Sequence, residues 1–184
     1  MNPLPRSADL RLVTLLSVLT LLLAACAASG PNRPGPAVPE PDLEQLHALV
    51  NEARGEDRRC GDESFPAAEP LALHEDLMQA AQAHSDDMHE GGFLDHTGSD
   101  GSGVSDRVER TDYGWSSLGE IVARGYGTPE AVMEAWLASP AHCGIIMRSD
   151  YTELGMGVAG TSWTQVFARP RESAPSRALL HLSE

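Results

Sequence analysis

ELGMGVAGTSWTQVFARP, residues 153–170, is where the chain changes its period. ELGMGVA and SWTQVFA are strand-like runs separated by Gly160 and Thr161, the arrangement of an antiparallel hairpin. Gly155 and Gly157 fall inside the first run, at positions where another backbone would approach closely. A third, shorter strand fits LGEIVA, residues 118–123, which makes a small antiparallel sheet.

The rest of the chain up to this point reads as helix. DLEQLHALVNEAR places Asp42 and Gln45 like a capping box, with Leu43, Leu46, Val50 and Ala53 at helical spacing, so a first helix is expected over 43–54. After the loop GEDRRCGDESFPAAEP, the residues Leu77, Ala80, Ala81, His84 and Met88 share one face of a second helix, which Gly91 and Gly92 should end. VSDRVER allows one or two helical turns. TPEAVMEAWLAS begins a further helix, with Thr128 as cap, Pro129 at the first helical position and Glu130 in the first turn. SPAHCGIIM, residues 139–147, repeats the Ser-Pro start for a short one. Helices packed on a small antiparallel sheet define an α+β fold.

The chain has 184 residues and a formal charge of −14, and every basic residue is an arginine. That acidity argues against nucleic-acid binding, which rests on neutralising phosphates. The first 25 residues read as a signal segment: Arg6 and Arg11 precede a 14-residue apolar run, Leu12–Ala25, too short to be a lasting membrane span. The run ends in Leu23-Ala24-Ala25-Cys26, which resembles the lipobox of bacterial lipoproteins. On that reading Cys26 carries lipid and tethers the exported chain to a membrane, and the Pro-, Gly- and Ala-rich residues 26–41 are a flexible tether. The domain then spans 42–170, and 171–184 is a solvated tail.

With Cys26 assigned to lipid, Cys60 and Cys143 remain, and in an exported protein paired thiols oxidise, so a Cys60–Cys143 disulfide is expected. His142 beside Cys143 then cannot be a catalytic dyad, because a disulfide sulfur is no nucleophile and neighbouring helical residues point about 100° apart. The chain contains no CxxC, HExxH or HxH zinc spacing, no GxSxG elbow and no phosphate-binding glycine loop. Asp95–Asp106 has the look of a calcium loop, but its glycine falls at position seven and Asp106 stands where glutamate is needed, so it reads as a turn-rich loop. His84, Trp136 and Trp163 read as core residues.

Three stretches, AAQAHSDDMHEGGFLDHTGSDGSGVSDRV, GEIVARGYGTPEAVMEAWLASPAH, and ELGMGV followed by WTQVFARP, together resemble the bacterial branch of the CAP superfamily of cysteine-rich secretory, antigen-five and pathogenesis-related proteins. The resemblance implies a three-layer α-β-α sandwich around a three-stranded antiparallel sheet. It also implies a cleft where His96, Glu120 and His142 meet, with a divalent metal such as zinc as one occupant and a small hydrophobic ligand, a wall component or a protein partner as others. The family's usual Asn after the glutamate is Ile121 here, and a second family glutamate falls on Ser139, so the eukaryotic four-residue set is incomplete. Two functions follow from the resemblance: a non-catalytic binding module of the cell envelope, and a metal-assisted hydrolase using His96, His142 and Glu120.

Overall fold

The computed structural model describes residues 43–172. In chain order the elements are α1 (Leu43–Arg54), β1 (Arg58–Cys60), β2 (Glu63–Phe65), β3 (Ala72–Leu73), α2 (Glu75–Gly91), α3 (Val104–Glu109), β4 (Trp115–Arg124), α4 (Pro129–Ala138), α5 (Pro140–Met147), β5 (Glu153–Ala159) and β6 (Ser162–Pro170). The main sheet runs β3-β5-β6-β4. Its three long strands are antiparallel, as the sequence suggests, and two-residue β3 adds a parallel pairing to β5.

The hairpin of 153–170 supplies the two inner strands of the main sheet. Ala159 pairs with Ser162, leaving Gly160 and Thr161 as a two-residue loop in which only the glycine has positive φ, +57°. That is the sign pattern of a type II′ turn, whose twist suits flanking strands. α2 lies directly on β5: a Cβ on Gly155 would overlap the Leu77 carbonyl, and one on Gly157 the backbone of Ala81 and Gln82. Helix and strand backbones therefore touch at the positions that lack side chains.

Apolar residues cover both faces of the sheet, which makes the three layers. One core joins Leu46 and Val50 of α1, Val132 and Trp136 of α4 and Ile146 of α5 to Ile121, Met156, Trp163 and Phe167 of the sheet. The opposite core joins Leu77, Ala80 and Ala81 of α2 and Val108 of α3 to Val166 and Ala168. Trp136 and Trp163 are buried, and their indole N–H groups donate to Val122 O and Tyr126 O.

Side chains close both edges of this sheet. Beyond β3, Gln82 accepts from Val158 N at 3.1 Å and donates to Val158 O at 2.8 Å, so its amide stands in for a neighbouring strand. On β4, Leu118 O accepts from Tyr151 Oη and Val122 O from Trp136 Nε1. Open edges template association, and these contacts blunt them.

Two expectations need correction. The strand expected over 118–123 extends over ten residues, Trp115–Arg124, because its whole length pairs with β6, with one irregularity between Trp115 and Ser117. The loop after α1 contains a separate two-stranded ribbon, β1–β2, of three residues each. Asp42, Cys26, the signal segment, the tether and Leu179, Leu180 and Leu182 lie outside the described residues.

The disulfide joins Cys60 of the ribbon to Cys143 of α5, with Cα atoms 5.5 Å apart and both cysteines buried beside Met147. α5 is held a second way. Arg54, fully buried, donates to Ile146 O at 2.6 Å and Arg148 O at 2.9 Å, where the helix leaves carbonyls unpaired. It also reaches Glu69 O and Tyr151 O. Burial without a contacting carboxylate lowers the Arg54 pKa, against an opposing pull from Asp150.

Candidate functional site

His96, Glu120 and His142 reach one region from three elements. His96 lies on the loop after α2. That helix ends at Gly92, whose left-handed φ of +68° lets its N–H return to Met88 O. The loop is pinned by its own polar groups: Asp87 of α2 accepts from Ser99 N and Ser99 Oγ, Asp95 accepts from Thr97 N, and Asp100 accepts from Ser102 N. These bonds hold the pKa values of Asp87, Asp95 and Asp100 below the usual carboxylate range, through Ser99, Thr97 and Ser102 respectively. The segment is thus the turn-rich loop that its residues suggest.

Glu120 projects from β4 and is 3 % exposed. One oxygen accepts from His96 Nδ1 at 2.9 Å and the other from Arg107 Nη2 at 2.6 Å. Arg107, on α3 and 5 % exposed, also donates to Ser102 O at 2.7 Å and to His96 O at 3.1 Å. One guanidinium therefore fixes the backbone of His96, and the carboxylate it pairs with fixes the ring. With Nδ1 turned to Glu120, Nε2 is the ring nitrogen left outside this pair, on an imidazole that is 58 % exposed.

His142 is half-buried on α5. Its pKa is lowered, first by burial and then by the charge of His96, so the two imidazoles are electrostatic neighbours. His142 lines a cavity of about 230 Å3 with Leu94, Val122, Ala123, Tyr126 and Trp136. A larger open depression, about 480 Å3, lies at the ribbon between Arg58, Arg59 and Phe65. The smaller cavity is the better candidate, because it combines an apolar wall with His142.

His84 is fully buried under the loop, with Nε2 bonded to Asp95 O at 2.9 Å. Burial and then Arg107 lower its pKa. It supports the loop rather than lining the cavity.

The expected metal set does not fit. Among the described residues, no group of three or more His, Cys, Asp or Glu side chains could hold a metal ion. The Glu120 carboxylate is already paired on both oxygens. Arg107 is the residue that sequence reading missed. It sits in VSDRVER as an arginine on a short polar helix, and its i+13 relation to Glu120 carries no local periodicity. Its burial beside Val108 is a product of tertiary packing.

An α-β-α sandwich in which a glutamate of an edge strand meets a loop histidine, with a second histidine on a neighbouring helix, defines a class of protein, and sequence comparison agrees with it. The model of the Cysteine-rich secretory protein family (CAP) matches residues 47–167, so the chain belongs to the CAP superfamily. Its relatives and structural neighbours place it in the bacterial branch. It is 33% identical over 100 residues to the uncharacterized protein YkwD of Bacillus subtilis, covering 53% of this chain and 39% of that protein. It is 34% identical over 99 residues to the uncharacterized membrane protein YlbC of the same organism, covering 54% of this chain and 29% of that protein. The chain thus spans only about a third of the length of these relatives. Among solved structures it resembles an extracellular SCP-domain protein of Bacillus anthracis, with TM-score 0.60, 26% identity and coverage of 68% of this chain and 39% of that one. An outer surface protein of Borrelia burgdorferi shares the fold, with TM-score 0.57, 19% identity and coverage of 70% of this chain and 92% of that one.

Proposed function

We propose that this chain is an exported, lipid-tethered binding module of the bacterial cell envelope, which holds a small ligand, a wall component or a protein partner in its His-lined cleft without chemistry. The observation that carries this reading is that both oxygens of Glu120 are already engaged, by Arg107 and by His96, so that this carboxylate is not free to act as general base. Beside that closed cluster, the cavity walled by Leu94, Val122, Tyr126 and Trp136 offers apolar surface with His142 as a polar handle. Export is supported by the names of two structural neighbours, one an extracellular and one an outer surface protein. It is supported too by the apolar run that ends at Cys26. On this reading the anchor is the lipid on Cys26; among the described residues no helix is long and apolar enough to cross a membrane.

The test is native mass spectrometry of the exported full-length protein beside an Ala135→Phe variant, which fills the cavity from α4. The reading expects a bound mass, or retention of a Cys26→Ser form on envelope fractions, that the variant loses. A bare chain whose Cys26→Ser form is retained equally with and without Ala135→Phe refutes it. So does turnover of a hydrolysable wall substrate that Glu120→Gln abolishes.

A further inference from the structure

We propose that the guanidinium of Arg107 stands where a divalent cation would have to stand beside Glu120, so that the cleft is organised by an internal cation and excludes a metal. This does not depend on the binding function above, since it concerns only which positive group neutralises Glu120.

A carboxylate in a cleft of histidines is ordinarily available to a transition metal, through imidazole nitrogens and a carboxylate oxygen. Here Glu120 is 3 % exposed and Arg107 5 %, and their contact is 2.6 Å. A metal reaching Glu120 would have to displace either that guanidinium or the His96 ring, which occupies the other oxygen at 2.9 Å. Arg107 cannot swing aside at no cost, because two further N–H groups hold Ser102 O and His96 O. Nor can it lose its charge, since the guanidinium stays protonated under all ordinary conditions. A divalent ion entering beside it would meet a like charge in a buried setting, where solvent screens little. His96 is oriented for this arrangement as well. Its Nδ1 faces Glu120, and ring and backbone are tied to the same ion pair. The arginine therefore does what a metal does in other histidine clefts: it neutralises the carboxylate and fixes an imidazole through it. Among the described residues, the cleft's remaining metal donors are His96 Nε2 and the half-buried His142, two imidazoles with no third protein ligand.

The test uses the purified full-length chain, stripped with chelator and titrated with zinc chloride by calorimetry. His96→Ala and Glu120→Gln in the otherwise native protein should each leave zinc affinity within about 2-fold, because neither residue contributes to a metal site. Arg107→Gln removes the internal cation. It should gain one equivalent of zinc bound at least about 10-fold more tightly than the native chain, the scale on which groups around a metal alter affinity. Adding His96→Ala to it should abolish the gain. Arg107→Lys, which keeps the charge, should show no gain. One equivalent of zinc on the native protein, weakened about 10-fold or more by His96→Ala or Glu120→Gln, overturns the proposal. So does a folded Arg107→Gln protein that gains nothing. If circular dichroism shows that Arg107→Gln does not fold, the native, His96→Ala and Glu120→Gln titrations decide the matter alone.

Discussion

Replacing Gly157 with alanine adds one methyl group where α2 rests on β5, and the structure specifies what that methyl meets. Its Cβ would fall well inside 3 Å of Gln82 Cα, Gln82 N and the Ala81 carbonyl carbon, all backbone atoms that cannot rotate away. Restoring ordinary contact near 3.5 Å requires the helix and strand to part by about 1 Å. Overpacking of this kind costs about 1–3 kcal/mol. The same parting stretches the two hydrogen bonds between Gln82 and Val158, each contributing about 1 kcal/mol. The expected loss is about 3–5 kcal/mol, or about 10–15 °C in Tm for a domain of this size. Urea denaturation of the native and variant proteins, followed by circular dichroism, measures it. Gly127→Ala is the internal control, because its Cβ would meet nothing within 4 Å. A loss below about 1 kcal/mol for Gly157→Ala, with an unchanged fold, would refute the packing of helix against strand described above.

Other outcomes follow from the same geometry. Removing the disulfide with Cys60→Ser and Cys143→Ser together should cost about 4–5 kcal/mol by the entropy of its 83-residue loop, and a loss under about 1 kcal/mol would contradict it. Gln82→Ala leaves the Val158 edge without its side-chain partner, so concentration-dependent association should appear in sedimentation; a strictly monomeric variant would argue against edge protection. His84 and His142 both have pKa values lowered by burial, so the unfolded chain binds more protons than the folded one just below the ordinary histidine value of about 6.5. Stability should therefore fall as pH drops from about 6.5 toward 5, before carboxylates titrate, and NMR should place both imidazoles below the ordinary value. A titration of either above it contradicts the assignment.

The fold was legible because its decisive signals are local. The hairpin is written in ELGMGVAGTSWTQVFARP, the caps in Thr128 and Gly92, and the disulfide in the two cysteines left for pairing. β4 was underestimated because Ser116 and Ser117 do not read as strand, and only pairing with β6 extends it to Trp115. The β1–β2 ribbon has no apolar alternation to announce it. Its burial pattern is largely exposed, and it is secured by a disulfide and by the packing of Phe65. The same division runs through the site. Resemblance brought His96, Glu120 and His142 together, and the structure places them in one neighbourhood, with His96 bonded to Glu120 and His142 within reach of the charge on His96. It could not supply Arg107, whose partner lies on another element and whose burial depends on how α3 packs beneath the His96 loop. His74, which caps α2 by accepting from Asp76 N, was missed for a related reason, since histidine is an uncommon choice at that position.

The central claim is that Glu120 is neutralised by Arg107 inside the cleft. A double-mutant cycle in urea, with Arg107→Met, Glu120→Gln and both together, measures that directly. Removing Arg107 alone leaves a buried carboxylate without its main counter-charge and should cost about 3–5 kcal/mol. Much of that loss should return when Glu120 is neutralised in the same protein, giving a coupling of about 2 kcal/mol or more. Additive losses, with coupling within about 0.5 kcal/mol of zero, would contradict the account.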